Sequence, residues 1–463
     1  MEYQLIVKNA KYYAADRFWD GDILIADGKI TAIMESGGSQ WLAAENTINA
    51  RGLIVAPGFI DSHVHFREPG SPDRENFFSG SCAAAAGGIT TFCEMPNSCP
   101  PPNCVANLQR RIDLAEEKSV VDFSMFGAAG YGNTQQFASL LEQGVIAFKT
   151  FLQPSPAGRE EEFAGLTANG DGELYAMMRA GAVSGGRYFF HCEDADLIAM
   201  LERELHEAGE EGYDFHYRSR CDLAEVAVVE KIIRFAEATG CKAGIVHITV
   251  PESCRLIKEA KARGVDIAAE TCFQYLIYDE SAIDRFGPCA KTNPPFRSRQ
   301  DVEGLWPYLL DGTINMIGSD HAPLTADEKK RGEKQIWKAF SGIAGVEVML
   351  PLMLDQVAKG RISLAQLIRS MSENTARLYG LYPRKGAIAV GSDADLTIID
   401  PEREYTLSSA DMYTMAHANN RMFDGLRLKG RPVFTVSRGR VVMSEGKVDT
   451  AARGHGRFVA AGV

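Results

Sequence analysis

Eight short apolar runs, separated by segments of helical length, are the feature that most limits how this chain can fold. They read LIVAPGFID, ITTFCEMPN, VVDFSMFG, VIAFKTFL, RYFFHCED, AGIVHITV, VDIAAETC and INMIGSD. Continuous apolar runs of this kind are typical of strands that are buried on both faces of a parallel sheet. Intervening segments such as ENFFSGSCAAAAGG, NCVANLQRRIDLAEEK and CDLAEVAVVEKIIRFAEATG have helical spacing. The alternation predicts an α/β fold, a (β/α)8 TIM barrel.

Both ends of the chain have a different character. The segments YQLIVKNAKYY and DILIADGKITAI near the start indicate β-hairpins, and Asp27-Gly28 favours a type I′ turn. The C-terminal segments AIAVGSDADLTIIDP and RPVFTVSRGRVVMSEGKV have the same β-rich pattern. We therefore predict a small β-sandwich domain formed by 1–55 together with 385–463, and a barrel formed by 56–384.

Composition excludes some classes of partner. The net charge of −12 repels phosphate, so binding to nucleic acid or to an anionic membrane is not expected. The N-terminal residues include Glu2 and Asp16 and contain no long apolar stretch, so neither a signal peptide nor a membrane span is predicted. Ten cysteines without a CxxC pair suit reduced thiols in a cytoplasmic protein. A small-molecule substrate is expected.

Polar residues that can bind a metal or take part in catalysis cluster where the predicted strands end. In such barrels the active site lies at the C-terminal ends of the strands. The residues, from the first strand to the eighth, are His63, His65, Arg67, Asn97, Lys149, His191, His247 and Asp320.

The string GFIDSHVHFREPG, which begins at Gly58, contains the most informative pair. His63 and His65 are two residues apart on one strand, so both side chains point the same way, about 6.6 Å apart along it, and can bind one ion. Together with His191, His247 and Asp320 they make five conventional ligands, more than one tetrahedral zinc ion needs.

Lys149 does not suit such a cluster, because an ammonium group has no lone pair and repels cations. The residues alone leave two alternatives: Lys149 points elsewhere, or it has been converted to an anion.

A resemblance bears on this choice. The strings PGFIDSHVHFREPG, EMPNS, FKTFL, HCED, VHITVPE, KTNPPFRS and GSDHAP are similar to those of the cyclic amidohydrolases: dihydroorotase, allantoinase, hydantoinase and dihydropyrimidinase. The resemblance covers nearly the whole chain. It implies a lysine carboxylated by CO2, so Lys149 is expected to be an N6-carboxylysine that bridges two divalent metal ions.

The same resemblance implies roles for the other residues. His63 and His65 would hold the more buried metal with Asp320, and His191 and His247 would hold the second. Asp320 would also accept a proton during attack on the ring amide and return it to the leaving nitrogen. Zinc is the expected metal, although manganese or iron also suits these ligands.

Three further residues indicate which ring is opened. Arg67, Asn97 and Asn293 match residues that bind the substrate carboxylate and ring in dihydroorotases, and arginine suits a carboxylate. We therefore expect a dihydroorotase-like enzyme, which interconverts dihydroorotate and N-carbamoyl-aspartate. Leu324 departs from that pattern, because dihydroorotases usually have a histidine there. Pro154 stands where dihydropyrimidinases and D-hydantoinases have a tyrosine.

Several alternatives stay open at this point. An allantoinase or a hydantoinase acting on allantoin or a 5-substituted hydantoin is the second reading, since WKAFSGIAGVEVMLPLML resembles those enzymes. A metal-free scaffold protein is the alternative of another class, but such relatives lack several ligands. By analogy we expect a homo-oligomer, a dimer or a tetramer. The long glycine-containing loop 153–173 has the length of an active-site lid or of a mobile surface segment.

Overall fold

Seventeen strands form two sheets in the computed structural model, which describes residues 3–155 and 158–462. The strands before the barrel are β1 Tyr3–Ala14, β2 Arg17–Ala26, β3 Lys29–Met34, β4 Ala44–Asn49 and β5 Ile54–Pro57. The barrel strands are β6 Phe59–Val64, β7 Ile89–Glu94, β8 Asp122–Ala128, β9 Ala147–Phe151, β10 Arg187–His191, β11 Lys242–Ile245, β12 Ile267–Cys272 and β13 Met316–Gly318. The remaining strands are β14 Leu396–Thr406, β15 Arg427–Ser437, β16 Arg440–Ser444 and β17 Lys447–Val448.

The helices alternate with the barrel strands and pack outside them. They are α1 Phe77–Ala86, α2 Val105–Lys118, α3 Phe137–Glu142, α4 Asp171–Ser184, α5 Ala195–Glu207, α6 Phe215–Ser219, α7 Asp222–Thr239, α8 Pro251–Ala262, α9 Ser281–Phe286, α10 Arg299–Leu310, α11 Ala326–Lys330, α12 Met349–Ala358, α13 Leu364–Ile368 and α14 Asn374–Leu378. The predicted helices correspond to α1, α2 and α7. Gly87 and Gly240 end the first and the last of these, and Gly240 has a left-handed φ of 75°.

The barrel strands follow chain order, and every neighbouring pair from β6 to β13 is parallel. Each overlaps one of the eight predicted apolar runs, and the strand residues are almost entirely buried. An isolated parallel bridge between Val64 and His321 joins the first strand to the chain that follows the last. The predicted (β/α)8 barrel is confirmed.

Strands from both ends of the chain share the other sheet, whose order is β17-β16-β15-β14-β5-β1-β2-β3, with β4 on β1. A bulge between Val7 and Ala10 bends β1, so that its first half pairs with β4 and its second half with β5. Asp27 and Gly28 both have positive φ, 52° and 73°, as the predicted type I′ turn requires. The small β domain formed from both ends is confirmed. The limits 1–55 with 385–463 and 56–384 stay a prediction.

The cysteines and the hydropathy of the helices add two further features. The ten cysteines, all within the described residues, are free thiols. Among the helices of the described ranges, none combines the length and the apolar character that a membrane crossing requires.

A buried ion cluster joins the barrel to the end sheet. Lys385 Nζ lies 2.5 Å from Asp122 Oδ2, at the start of β8, and 2.5 Å from Asp395 Oδ2, just before β14. Asp393 Oδ2 lies 3.2 Å from the same nitrogen, and the Lys385 side chain is 1% exposed. Removal of one member of such a cluster leaves uncompensated buried charge.

We expect Lys385→Ala to lower the free energy of unfolding by about 3–5 kcal/mol, because buried Asp395 loses its ion-pair partner and Asp122 keeps Arg438 alone, whose Nε lies 3.0 Å from Asp122 Oδ1. The first unfolding transition in urea measures this. Lys29→Ala is the matched control, since Lys29 contacts Asp393 at 2.9 Å but its side chain is 51% exposed. Its expected effect is below about 1 kcal/mol. Equal destabilisation by the two variants would contradict the prediction.

Candidate functional site

The nine residues singled out from the sequence line one cavity of about 560 Å³. The cavity lies at the C-terminal ends of the barrel strands, where this fold places its active sites. The residues are His63, His65, Arg67, Asn97, Lys149, His191, His247, Asn293 and Asp320. The structure brings all of them together.

Three ligand-type groups converge at the end of β6. His63 Nε2 lies 3.2 Å from His65 Nε2 and 3.2 Å from Asp320 Oδ1, and His65 Nε2 lies 3.3 Å from the same oxygen. Asp61 Oδ1 holds the two chain segments in place by accepting backbone N–H bonds from His63 at 3.1 Å and from Ser319 at 3.0 Å. The barrel closure between β6 and the chain after β13 therefore positions the cluster.

Glu270, in β12, orients the first histidine. Its Oε1 accepts a hydrogen bond from His63 Nδ1 at 2.8 Å, and its Oε2 accepts one from Ser62 Oγ at 2.6 Å. With its proton on Nδ1, His63 presents a lone pair on Nε2 to His65 and to the carboxylate of Asp320. When His65 also presents a lone pair from Nε2, these facing atoms repel one another unless a positive charge lies between them. The arrangement fits a divalent cation, with imidazole and carboxylate ligands of the kind zinc binds.

A second histidine pair lies beside the first. His191 Nδ1 is 3.0 Å from His247 Nε2, and the rings of His247 and His63 are 5.6 Å apart between centroids. Glu193 Oε2 accepts hydrogen bonds from His191 Nε2 at 2.8 Å and from Arg220 Nη1 at 2.7 Å. With its proton on Nε2, His191 directs a lone pair from Nδ1 toward His247. This pair fits a second cation in the same way.

Lys149 lies in β9 and is 1% exposed. Within the described parts of the chain, its Nζ has no hydrogen-bond partner. Burial lowers the pKa of Lys149 to about 8, although the charges of Asp320 and Glu270 oppose this. Because only a neutral amine reacts with CO2, the environment fits the carboxylation that the sequence resemblance implies.

Burial also governs the charges of the ligand-type residues. It lowers the pKa values of His65 and His247 well below that of a free imidazole, so both rings are neutral at pH 7. Burial of Asp320 opposes ionisation, but His63 and the hydrogen bond to His65 hold the pKa of that carboxyl at about 2. Neutral imidazoles around an ionised carboxylate are the protonation states that bind a metal.

Three of the predicted residues have left-handed backbone conformations that side chains other than glycine rarely adopt. The φ angles are 58° at Arg67, 40° at His247 and 46° at Asp320. Such conformations cost about 1–3 kcal/mol each and persist where the surrounding structure imposes them, often at functional sites. Here these conformations change the direction of the side chains just beyond the ends of β6, β11 and β13.

Arg67, Asn97 and Asn293 also line the cavity. Arg67 is 9% exposed, and burial lowers its pKa to about 10. Its Nη1 lies 3.5 Å from Glu162 Oε1. Asn97 Oδ1 has no hydrogen-bond partner among the described residues, whereas Asn293 Oδ1 accepts one from Ser341 Oγ at 2.8 Å. Arg67 and Asn97 thus retain unused hydrogen-bonding capacity in the cavity wall.

Apolar and aromatic side chains complete the wall. They are Phe151, Phe163, Leu324, Trp337 and Phe340. Leu324, the residue that departs from the dihydroorotase pattern, is therefore in contact with the cavity. Pro154, the other departure, lines a separate cavity of about 290 Å³.

The loop 153–173 contributes Gln153, Arg159 and Phe163 to the cavity wall. Its residues 156 and 157 lie outside the described residues. The second half of the loop is anchored to the barrel, since Phe151 N–H donates to Leu166 O at 2.8 Å. The hypothesis that this loop is a lid stays untested.

Sequence reasoning missed the acidic residues that orient the site. Glu270 is a carboxylate inside an apolar strand, which is a signal of a buried polar role, and Glu193 follows His191 by two residues, which places both on one side of an extended chain. Glu162 and its partner Arg159 carry no such signal, because their position depends on the path of a long loop.

Comparison with known proteins adds independent findings. Residues 54–442 match the Amidohydrolase family. The chain is 34% identical over 459 residues to an L-hydantoinase from Paenarthrobacter aurescens, covering 99% of this chain and 98% of that protein. It is 35% identical over 443 residues to an allantoinase from Rubrobacter xylanophilus, covering 95% and 93%. It is 34% identical over 449 residues to a dihydroorotase from Methanothermobacter thermautotrophicus, covering 96% and 95%.

A solved structure, an L-hydantoinase (dihydropyrimidinase) from Arthrobacter aurescens, superposes with a TM-score of 0.92 at 33% identity. The superposition covers 99% of this chain and 100% of that one.

Proposed function

From the premise that this chain belongs to the amidohydrolase family, and is a hydrolase of cyclic amides, we propose that it opens the ring of a cyclic ureide that carries a carboxylate. This is the reaction of a dihydroorotase, the interconversion of dihydroorotate and N-carbamoyl-aspartate. One observation carries the proposal: the buried guanidinium of Arg67, with unused donors, lines the same cavity as the histidine and aspartate cluster.

We propose two divalent cations, with zinc as the expected metal. His63, His65 and Asp320 would hold one, His191 and His247 the other, and Lys149 would join them as N6-carboxylysine. To form that group, neutral Nζ adds to the carbon of CO2 and loses a proton, which leaves a carbamate with one negative charge. When bound, the cations act as Lewis acids and lower the pKa of water to about 7. The converging lone pairs described above support this assignment.

The chain's own residues account for the movement of protons. The carboxylate of Asp320 is ionised at neutral pH, so it accepts a proton from the water that attacks the ring carbonyl. It returns that proton to the amide nitrogen as the carbon–nitrogen bond breaks. Glu270 and Glu193 keep His63 and His191 in the tautomers that face the cluster. Arg67, Asn97 and Asn293 would hold the ring so that its amide carbonyl meets this group of residues.

A second candidate is an allantoinase or a hydantoinase. It is favoured by Glu162, whose negative charge lies beside Arg67, and by Leu324, which lines the cavity in place of a histidine. An uncharged ureido substituent could donate to Glu162 and accept from Arg67.

A metal-free scaffold is the alternative outside the enzymes. Metal analysis of protein purified without chelator tests it, since a scaffold would contain well under one ion per chain.

Two further expectations accompany the proposal. We propose a cytoplasmic homo-oligomer, a dimer or a tetramer, whose partner in the reaction is a small cyclic ureide or amide. The free cysteines support the cytoplasmic location, and the acidic net charge supports a small-molecule substrate. The oligomer is proposed by analogy with related enzymes.

Arg67→Ala tests the carboxylate assignment. We expect kcat/KM for dihydroorotate to fall by about 10²–10⁴-fold, because a buried site built for a carboxylate loses its charge-assisted hydrogen bonds. Initial rates of the metal-loaded enzyme measure this, in a panel with allantoin, hydantoin, 5-substituted hydantoins and dihydrouracil. Dihydrouracil is the matched control, because it lacks only the carboxylate, and its kcat/KM is expected to change by less than about threefold. Intact turnover of dihydroorotate by Arg67→Ala would refute the assignment.

A further inference from the structure

The guanidinium of Arg67 is held in the cavity wall with few partners. Its Nη1 reaches Glu162 Oε1 only at 3.5 Å, the limit of a hydrogen bond, and its Nε has no partner among the residues described. A guanidinium has five N–H donors, and a buried one gains from every additional acceptor. Arg67 is therefore able to take a further acceptor from a ligand.

Glu162 is committed to a different arginine. Arg159 Nε donates to Glu162 Oε2 at 2.7 Å, and Arg159 Nη2 donates to Oε1 at 2.5 Å, which is a two-point contact. This contact uses both carboxylate oxygens of Glu162, and Arg67 Nη1 lies at the longer distance of 3.5 Å from Oε1. Burial of the Glu162 side chain opposes ionisation, but the hydrogen bonds from Arg159 and the charge of Arg67 lower its pKa below the usual value. Glu162 thus supplies a permanent negative charge beside Arg67.

The chain that follows Glu162 fixes this charge in place. Phe163 is buried and packs on Phe151 with ring centroids 5.1 Å apart. Leu166 is also buried, and its carbonyl accepts the backbone N–H of Phe151. Asn103 Nδ2 donates to Ala164 O at 2.9 Å. Residue 162 therefore precedes an anchored segment rather than the tip of a free loop.

We propose that Glu162 is a specificity-determining residue, which sets the discrimination between carboxylated and uncharged rings. The proposal rests on the proposed function in one respect, since it takes Arg67 as the group that meets the ring substituent. A carboxylate at Arg67 is attracted by that guanidinium and by Arg159 but repelled by Glu162. An uncharged substituent is not repelled, and its N–H groups can donate to Glu162. The carboxylate of Glu162 thereby weakens binding of anionic rings relative to neutral ones.

Binding of orotate and of uracil tests this without turnover. These planar compounds differ only in the carboxylate, and calorimetry on the metal-loaded full chain measures both dissociation constants. In Glu162→Gln, which keeps size and shape but removes the charge, we expect the preference for orotate over uracil to rise about tenfold, the effect of one like-charge repulsion in a partly buried site.

Two variants serve as controls. Glu161→Gln removes the same charge one residue away, where the side chain is exposed and accepts from Cys99 Sγ at 3.4 Å. It is expected to change the preference by less than about twofold, because exposed charges are screened. Glu162→Asp keeps the charge and is expected to retain most of the wild-type preference.

The outcomes separate this proposal from the proposed function. An equal change in Glu162→Gln and Glu161→Gln, no change in Glu162→Gln, or no binding of either compound to any variant would overturn the role of Glu162. If the wild-type enzyme hydrolyses dihydroorotate but Glu162→Gln has an unchanged binding preference, the proposed reaction is supported and the role of Glu162 is refuted. The expected shift in preference without hydrolysis of any ring would support Glu162 and refute the reaction.

Discussion

Lys149→Ala is expected to lower kcat by at least about 10³-fold and to reduce the bound metal to one ion per chain or fewer. The structure places the Lys149 amine in the cavity with the histidines, buried and without a hydrogen-bond partner among the described residues. If its carbamate joins two cations, alanine removes a ligand from both of them. When several groups act together in catalysis, removal of one of them abolishes most of the rate enhancement that they provide jointly.

Hydrolysis rates and elemental metal analysis of the same preparations measure these two effects. Addition of a short carboxylic acid, such as propionate, is expected to restore part of the activity of Lys149→Ala, because its carboxylate can occupy the place of the carbamate. Near wild-type hydrolysis by Lys149→Ala without added acid would refute the role of this residue.

Lys291→Met is a matched control for that experiment. Lys291 is a buried lysine that lines the same cavity, but its Nζ donates to the carbonyl oxygens of Ile336 at 2.9 Å and Ala339 at 2.8 Å. Any loss of activity in Lys291→Met is expected to persist when carboxylic acids are added, and its metal content is expected to equal that of the wild type. Rescue of Lys291→Met by propionate would show that the rescue is not specific to residue 149.

The barrel could be predicted from the sequence because each of its strands is buried on both faces. This burial requires continuous apolar runs, and such runs are visible without any knowledge of tertiary contacts. The clustering of the ligand-type residues in one cavity was predictable for a related reason. The fold places all strand ends at one edge of the barrel, so the position of His63 or His191 along its strand indicates where its side chain lies.

Contacts between distant segments could not be predicted in this way. The approach of Glu162 to Arg67 depends on how the loop after β9 folds back, and no local pattern encodes that path. Lys385 gives a similar example, since its segment reads as an exposed turn, yet the side chain is buried between two carboxylates from different parts of the chain. Glu270 is intermediate. The burial of Glu270 can be predicted from the strand pattern, but its hydrogen bond with His63 cannot.

Asp320 lies in the cluster with His63 and His65, and it is also the proposed acid and base of the reaction. Its Oδ1 lies at 3.2 Å and 3.3 Å from the facing nitrogens of His63 and His65, and its backbone is held at a φ of 46°. Asparagine has nearly the same shape and tolerates that conformation, but its amide cannot accept a proton at neutral pH. At equal metal content, Asp320→Asn therefore tests proton transfer with a side chain of nearly the same shape in place.

We expect Asp320→Asn to lower kcat by about 10²–10⁴-fold, the usual contribution of a positioned acid and base, while binding of orotate changes by less than about threefold. Initial rates and calorimetry measure the two quantities, and metal analysis confirms that both proteins are compared at equal metal content. Asp327→Asn is the control, since Asp327 is an exposed aspartate seven residues further along the chain, and its kcat is expected to equal that of the wild type. If metal-replete Asp320→Asn keeps kcat within about threefold of the wild type, another group moves the proton, and the carboxylate serves only to position its neighbours.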